Sequence, residues 1–420
     1  MTIRFDKFKN IQNYSVGANI IGHITGEYGL GEAARCTLRA MEAVEVPFTI
    51  THDIRVEWHR NLDRSYVDVS QNNPYLINIV YTNPDPRWTA TIAGYLENRY
   101  NIGVWAWELH NFPSEWKFAF DLFDEIWTYS NHSAEAISAV SPIPVVKIVP
   151  GINLPTSSLT REDLKLPKDK FIFLFIFDFH SIFERKNPLG IIEAFKQAFG
   201  KSNKGVLLVI KFSNSHAFPQ KLQQLNAATE KLPSIYLIDK HLTKDEVNSL
   251  IYHCDCYVSL HRSEGFGLTM AEAMFYGKPT IATAYSSNIE FMNVGNSFMV
   301  KYDLASTPEG IGGPYKTGDI WAEPDLEQAA SLMKYVFNNY DLAREIGAKA
   351  AYDMRNLFSP KATGAKIRAR LEYVLREIDR INQLQTEKSW FESQVQAWIQ
   401  TKDKLETEIN CLQYNNQKIG

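Results

Sequence analysis

The chain alternates short apolar runs with longer stretches that place apolar residues at helical spacing. The runs are four to seven residues long and are bounded by Gly, Pro or polar residues, which predicts strands. The predicted strands are Ala18–Ile24, Leu76–Tyr81, Tyr100–Trp105, Glu125–Tyr129, Val145–Val149, Phe171–Phe177, Val206–Lys211, Ile235–Asp239, Cys256–Leu260 and Thr280–Thr283. Helical stretches lie between them, for example Trp88–Asn98, Glu115–Phe123 and the segment that begins at Asn187 and Pro188. This alternation predicts an α/β fold with parallel, doubly wound sheets.

Two features divide the chain into domains. The run Phe171–Phe177 is apolar on both faces, as expected of a central strand in a parallel sheet. The segment before it, PGINLPTSSLTREDLKLPKDK, is rich in Pro, Ser and charge, which is typical of a linker. We therefore predict a first domain of residues 1–155, a second domain of residues 156–360 and a helical extension of residues 361–420.

The helical extension has two sets of apolar residues at seven-residue spacing. One set is Ile367, Val374, Ile381, Val395 and Ile409, with Lys388 and Lys402 interrupting it. The other set is Leu384, Phe391, Trp398, Leu405 and Leu412. Such spacing predicts a coiled coil or a helix hairpin, and with it self-association or a partner. A single solvated helix is the alternative.

Composition narrows the class of protein. A chain of 420 residues with 45% hydrophobic content can form two cores, and a net charge of −4 gives no reason to expect nucleic acid. The four cysteines are scattered without CxxC spacing, which favours a reducing compartment over zinc or disulfides. The start of the sequence lacks the apolar core of a signal peptide, and the most apolar run is too short to cross a bilayer. We expect a soluble, cytoplasmic protein, with peripheral contact at the inner membrane face left open.

The candidate chemistry centres on a glycine-rich turn between a strand and a helix. Glu264, Gly265, Phe266, Gly267 and Leu268 form the turn, and Glu272 follows on the helix. Free N–H groups at such a helix start bind anions. On one helix the two carboxylates would lie about 12 Å apart, beyond the roughly 5–9.5 Å of a glycosidase pair. At this distance the two acids do not act as one pair, so each would bind its own polyhydroxyl group, such as a sugar or a ribose. The alternative is that Glu264 caps the helix and Glu272 lies on a solvated face of it.

Further candidates follow other predicted strands. Lys186 precedes a helix N-terminus, where it could hold a diphosphate, or it could form a solvated surface pair with Arg185. In the first domain, Gly26, Gly29 and Gly31 have G-x-x-G-x-G spacing, which differs from that of dinucleotide-binding proteins. This turn is either ligand-binding or an ordinary strand-to-helix turn.

Near the first domain's strand 100–105, Trp105, Trp107, Glu108 and His110 come just past the carboxyl end. Open α/β sheets bind ligands at that end. Glu108 is our preferred candidate for facing an acceptor, with His110 as the alternative and a purely structural role for either still open.

The motif Glu264-Gly-Phe-Gly-Leu…Glu272-Ala-Met resembles the E-x7-E signature of retaining glycosyltransferases of family 4, which have the GT-B fold. The resemblance implies two Rossmann-like domains facing a cleft. It implies that Glu264 and the backbone of Gly265, Phe266, Gly267 and Leu268 contact the donor sugar, and that Glu272 holds the nucleotide ribose.

The same resemblance implies that Lys186 contacts the donor diphosphate and that Gly29 and Gly31 lie over the cleft. This sequence departs from the family pattern at three places. His180 stands where the family has an Arg on the diphosphate, with Arg185 as the alternative for that role. Ser286 and Ser287 replace glycines, and Glu108 precedes His110 where many members have a single His.

The activity implied is transfer of a hexose, of the mannose or glucose type, from a nucleoside diphosphate sugar to a saccharide or lipid-linked saccharide. Retention of the anomeric configuration and a role in cell-surface polysaccharide synthesis come from the resemblance. The donor is a co-substrate, and no cofactor or metal is expected, since the sequence has no D-x-D. A sugar-nucleotide epimerase, a phosphorylase and a non-catalytic sugar-binding scaffold are the alternatives.

Overall fold

The structure is a computed structural model that describes residues 15–56, 60–70, 72–201 and 203–417, with side chains up to residue 414. Within these ranges it contains two parallel six-stranded sheets and one antiparallel two-stranded ribbon. Each six-stranded sheet belongs to one domain, so the predicted α/β fold with two doubly wound domains is confirmed.

Within the described residues, the first domain contains six strands, three helices and a 3₁₀ segment. Its strands are β1 (Ala18–Gly22), β2 (Phe48–Asp53), β3 (Ile77–Tyr81), β4 (Tyr100–Val104), β5 (Glu125–Thr128) and β6 (Val145–Lys147). Its helices are α1 (Gly29–Glu42), α2 (Pro86–Leu96) and α3 (Asn131–Ser138). The predicted helix Glu115–Phe123 is instead a 3₁₀ run over Ser114–Asp121, because its backbone bonds span three residues, as from Leu122 N–H to the Ala119 carbonyl.

The second domain and the extension contain the remaining elements. The strands are β7 (Phe171–Asp178), β8 (Val206–Ser213), β9 (Ile235–Asp239), β10 (Cys256–Ser259), β11 (Thr280–Thr283), β12 (Phe298–Val300), β13 (Tyr302–Ser306) and β14 (Ile320–Pro324). The helices are α4 (Phe183–Lys186), α5 (Pro188–Phe199), α6 (Pro219–Thr229), α7 (Lys244–His253), α8 (Leu268–Phe275), α9 (Leu326–Asn338), α10 (Tyr340–Leu357) and α11 (Pro360–Gln417). All ten predicted strands are present, and β2 and β12–β14 were not predicted.

Strand order creates a switch point in each sheet. The second sheet has the order β12-β11-β10-β7-β8-β9. Successive strands are therefore added on one side of β7 up to β9 and on its other side from β10 onward, and the order reverses between β7 and β10. The first sheet has the order β2-β1-β3-β4-β5-β6, with its reversal between β1 and β3. Loops diverge at such a point and leave a crevice at the carboxyl edge of the sheet, where α/β proteins bind ligands.

The extension is one uninterrupted helix, α11, so the predicted helix hairpin is wrong. The segment 366–417 contains neither Gly nor Pro, and a hairpin needs residues that end a helix. The first turns of α11 pack against α1 of the first domain and bury Ile367, Leu371 and Val374. Beyond residue 380 the side chains are mostly exposed.

Candidate functional site

A cavity of about 620 Å³ lies between the carboxyl edges of the two sheets. It is lined from the second domain by loops that follow β7, β8, β9 and β10, and from the first domain by loops that follow β1, β3 and β4. Both switch points therefore open into it. Eleven of the twelve predicted site residues line the cavity: Gly29, Glu108, His180, Arg185, Lys186, Glu264, Gly265, Phe266, Gly267, Leu268 and Glu272.

Gly31 is the exception. A Cβ at this position would lie 2.7 Å from the His23 carbonyl oxygen and still closer to that of Gly26. Gly31 therefore allows α1 to pack against its own preceding turn. Gly29, by contrast, lines the cavity, and a Cβ there would meet no atom within 4 Å.

Glu264 is buried between two cations. Its side chain accepts a hydrogen bond from the Lys186 ammonium, and Arg185 Nη1 lies 3.4 Å from Glu264 Oε2. Burial opposes the charge of this carboxylate, but Lys186 and Arg185 outweigh it and lower the pKa of Glu264 to about 2. The carboxylate is therefore ionised at neutral pH. It is not a helix cap, since the N-cap of α8 is Gly267 without a side-chain bond.

The turn between β7 and α5 holds the two cations in place. Asn187, with a φ of 54°, caps α5 through Gly190 N–H at 3.1 Å and donates to the Leu260 carbonyl at 2.8 Å. Arg185 donates to the Ser263 carbonyl at 2.8 Å. These bonds tie the turn after β7 to the loop after β10, which brings Lys186 and Glu264 together across the switch point. With 4% exposure, Arg185 does not face solvent.

Glu108 reaches the same cluster from the first domain. Its Oε1 lies 3.7 Å from Arg185 Nη2, and its Oε2 accepts a hydrogen bond from the Tyr315 hydroxyl at 3.1 Å. His110 is exposed and does not line the cavity. Of the two candidates after β4, the structure directs Glu108 toward the cleft.

The glycine-rich turn brings backbone donors to the cavity wall. The N–H groups of Gly265 to Leu268 donate no hydrogen bond within the described ranges. Gly267 has a φ of 92°, a conformation that favours glycine. Phe266 is 5% exposed and packs on Phe291, so it anchors the turn.

Ser286 supports this turn from the side. Its hydroxyl accepts a hydrogen bond from the Glu264 N–H at 2.8 Å. Its φ of 70° is in the left-handed region, where the related family has a glycine. The serine thus keeps the glycine-like backbone and adds a bond to the loop that carries Glu264.

A second charged group surrounds Glu272. Lys244, the first residue of α7, donates to Glu272 Oε1 at 2.6 Å and lies 3.8 Å from Glu32 of the first domain. Glu272 is 4% exposed, so it is not on a solvated helix face. Burial opposes the charge of Glu32, but Lys244, Arg39 and Arg35 lower its pKa to about 2.

Sequence reasoning missed Lys244 as a site residue. In the structure Thr243 caps α7 and Glu246 completes a capping box, so Lys244 is the first residue of the helix. A lysine at the first position of a helix gives no signal by itself. Only the packing of α7 against α8 brings it to Glu272.

Lys211 is the other residue that sequence reasoning missed. It lies near the end of β8, lines the cavity and is 7% exposed. Its ammonium has no hydrogen bond and no ion pair within 4.0 Å among the described residues. Burial lowers the pKa of Lys211, partly offset by Asp178 and Glu27. His180 and His241 also line the cavity.

Two further contacts join the domains beside the site. Glu290 accepts from Lys147 of the first domain at 2.7 Å and from the Asn131 N–H. Ser287 and Ser130 share a hydrogen bond of 2.7 Å. These residues fix the two domains relative to each other.

Within the described ranges, no group of three or more His, Cys, Asp and Glu side chains is arranged to hold a metal ion. In the same part of the chain, no helix combines the length and the apolar content that a bilayer crossing requires.

Two Rossmann-like domains whose carboxyl edges face each other across a cleft are the arrangement of the GT-B fold. The family model "Glycosyl transferases group 1" matches residues 157–352, which span the second domain. The second domain is thus similar to the group 1 glycosyltransferases, and the chain as a whole has the GT-B fold.

Solved structures share this fold at low sequence identity. A glycosyltransferase from Rickettsia africae matches with a TM-score of 0.61 and 16% identity, over 86% of this chain and 99% of that one. HepE from Anabaena, in complex with UDP and glucose, matches with a TM-score of 0.60 and 15% identity, over 86% and 100%. Sucrose-phosphate synthase from Thermosynechococcus elongatus matches with a TM-score of 0.63 and 14% identity, over 86% and 100%. No curated protein sequence matches the chain significantly.

Proposed function

We propose that this glycosyltransferase moves a hexose, of the mannose or glucose type, from a nucleoside diphosphate sugar to a hydroxyl group of a saccharide or lipid-linked saccharide. The carrying observation is the position of Glu264. It lies between Lys186 and Arg185 at the switch point of the second domain, opposite Glu108 of the first.

The main electrostatic demand of this reaction is the charge that develops on the departing diphosphate. Lys186 and Arg185 supply two positive charges there, and the unbonded N–H groups of Gly265 to Leu268 supply further donors. Glu264 accepts hydrogen bonds from sugar hydroxyls and so orients the sugar ring. Glu272 and Lys244 bind the ribose of the same donor.

The acceptor hydroxyl approaches from the first domain, where Glu108 faces the cluster. We propose retention of the anomeric configuration because the motif resembles that of retaining family 4 enzymes. For the same reason we propose a role in cell-surface polysaccharide synthesis in the cytoplasm, where a lipid-linked acceptor would lie at the inner membrane face. The HepE complex with UDP-glucose makes this compound a first donor to test.

The test is incubation with GDP-mannose, UDP-glucose or UDP-N-acetylglucosamine, with and without a saccharide acceptor. We expect nucleotide release that depends on the acceptor and persists with a metal chelator, and a product with the anomeric configuration of the donor. An isomerised sugar nucleotide formed without an acceptor and without net release of nucleotide would indicate an epimerase. Release that requires inorganic phosphate and yields a sugar 1-phosphate would indicate a phosphorylase. Binding without turnover would indicate a scaffold.

The residue-level test is Glu264→Ala, with the isosteric Glu264→Gln beside it. We expect turnover to fall by about 10²–10³-fold or more, since each variant removes an interaction at the reacting sugar. Glu162→Ala is the control, because Glu162 forms an exposed pair with Lys168 on the surface. Unchanged turnover in a folded Glu264→Gln protein would contradict the assignment.

A further inference from the structure

The distal part of α11, residues 381–417, extends away from both domains, and we refer to it as the tail. The proximal part of the same helix is covered by the first domain, and Ile367, Leu371 and Ile378 are fully buried. Along the tail, large apolar side chains are exposed instead. A helix that presents such side chains to water is more stable when another surface covers them.

Most of the exposed apolar residues of the tail form a seam with a seven-residue repeat, and Trp390, Ile399 and Tyr414 lie outside it. The seam positions alternate in steps of three and four residues: Ile381, Leu384, Lys388, Phe391, Val395, Trp398, Lys402, Leu405, Ile409 and Leu412. The seven large apolar residues from Leu384 to Leu412 in this set are 51–65% exposed. Lys388 and Lys402 lie within ion-pair distance of Glu392 and Glu406, which turns their ammonium groups aside from the seam.

The repeat favours a helical partner over a lipid surface. A straight helix has 3.6 residues per turn, so a strict seven-residue repeat stays in line only when helices supercoil. Apart from Trp390, Ile399 and Tyr414, the exposed apolar residues of the tail lie in one narrow stripe. Membrane-surface helices instead have a broad apolar face and many basic residues. The tail has only three lysines against five acidic residues.

The order of residues along the seam favours a second copy in the antiparallel direction. The seam is nearly symmetric about the midpoint between Gln396 and Ala397. Antiparallel pairing about this point forms five kinds of layer: Ile381 with Leu412, Leu384 with Ile409, Lys388 with Leu405, Phe391 with Lys402 and Val395 with Trp398. No lysine then faces a lysine. A parallel, in-register pair would place Lys388 and Lys402 each against its own copy, which costs repulsion.

The seam is also long enough for a specific interface. Its 32 residues extend over about 48 Å at 1.5 Å per residue. With a helix diameter of about 10–12 Å, each tail covers roughly 500 Å² of the other. Two such faces reach the total of about 1,000 Å² that distinguishes a specific interface from a chance contact.

We propose that this glycosyltransferase is a homodimer held together by an antiparallel coiled coil of two tails. The cleft of each copy lies on the two sheets, away from the tail, so the inference does not depend on the proposed donor or acceptor.

Light scattering of the full-length chain across a dilution series tests the dimer. We expect twice the 48.1 kDa mass of the chain, and a single-chain mass for Trp398→Glu. Gln400→Glu is the matched control, since it adds the same charge on the outer face of the same helix turn and should leave the dimer intact. A wild-type chain that is monomeric throughout, or a Trp398→Glu chain that stays dimeric, would overturn the inference. A monomeric wild-type chain that floats with phosphatidylcholine–phosphatidylglycerol vesicles, and that no longer floats when Trp398 is replaced, would also overturn the inference.

Engineered cysteines test the direction, in a Cys411→Ser background that removes the exposed native thiol. We expect Leu384→Cys and Ile409→Cys chains, each on its own, to form no interchain disulfide. Mixing the two should produce one, because the antiparallel layers place position 384 against position 409. Disulfide formation by Leu384→Cys alone would show a parallel pair and overturn the antiparallel assignment.

Discussion

At the scale of single residues, Lys211 combines a structural cost with a binding role. Lys211 is 7% exposed and its ammonium has no acceptor among the described residues, so it keeps only the hydration that the cavity provides. Such a group persists where a ligand supplies the missing partner, and Lys211 lines the cavity beside His241. A nucleotide offers phosphate and base oxygens as acceptors. We propose that Lys211 belongs to the donor site, at the expense of the stability of the free protein.

Replacing Lys211 with Met should separate these two effects. We expect Lys211→Met to raise the free energy of unfolding by about 1 kcal/mol, because it removes an uncompensated buried charge at similar volume. The same change should weaken binding of the donor nucleotide by about tenfold or more, or roughly 1.4 kcal/mol. Denaturant unfolding and calorimetric titration measure the two quantities.

The control for this prediction is Lys168→Met, which changes a lysine that is 72% exposed on its side chain. It should alter neither quantity by more than about 0.5 kcal/mol. Nucleotide affinity that is unchanged in Lys211→Met would assign Lys211 a role outside the donor site.

At the scale of elements, the contact between α11 and α1 depends on a glycine. A Cβ at Gly364 would lie 2.9 Å from both methyl groups of Val44 and closer still to the Ala40 carbonyl oxygen. The absence of a side chain thus sets the distance between the two helices. Nearby, Thr363 donates to the Val149 carbonyl at 3.0 Å, and Arg370 forms an ion pair with the fully buried Glu125 of β5.

Two glycine-to-alanine changes, both within helices, should have opposite effects. Gly364→Ala forces α11 away from α1, so we expect a loss of about 1–3 kcal/mol in the free energy of unfolding. Gly94→Ala in α2 meets no atom within 4 Å and should stabilise by about 0.5–1 kcal/mol through helix propensity. Urea denaturation of the two variants measures both. A stabilised Gly364→Ala would show that α11 is not closely packed there.

At the scale of the whole molecule, buried charge joins the two domains around the cleft. Lys244 of the second domain lies between Glu272 and Glu32, and Lys147 of the first domain contacts Glu290 of the second. Arg185 lies between Glu264 and Glu108. The domain interface is therefore sensitive to protonation of its carboxylates.

Acid should destabilise the protein through Glu32 and Glu264. Both have an ordinary pKa of 4.5 that the surrounding cations lower to about 2 in the folded chain. Stability from these groups is fully present above pH 4.5 and is lost as pH falls toward 2, on the order of 3 kcal/mol for each. The free energy of unfolding is measured for the unmodified protein and for Glu264→Gln from about pH 6 to about pH 3. It should fall less steeply with decreasing pH in Glu264→Gln. An equal slope in both proteins would contradict the lowered pKa of Glu264.

The sequence by itself determined which segments become strands and where the main site motif lies. The ten predicted strands all form because each is an apolar run between breaking residues, a property that neighbours in sequence decide. The strands β2 and β12–β14 were missed. Of these, β2 is only half-buried along most of its length, so its apolar pattern is weak. The E-x7-E motif located Glu264 and Glu272 because its residues are close along the chain.

Only the tertiary structure decided which distant residues share the cleft. Lys244 meets Glu272 because α7 packs against α8, and Glu108 meets Arg185 because the domains close on each other. Gly29 and Gly31 are only two positions apart. A Cβ at Gly31 would clash with the backbone of the preceding turn, whereas a Cβ at Gly29 would meet no atom within 4 Å. In the sequence, Lys211 is an ordinary lysine within an eight-residue strand. Only its burial in the folded chain shows that its charge lacks a partner. The local pattern of apolar and polar residues determines helices and strands, because it acts through backbone geometry. Charge pairs across the cleft form only when the two sheets are assembled.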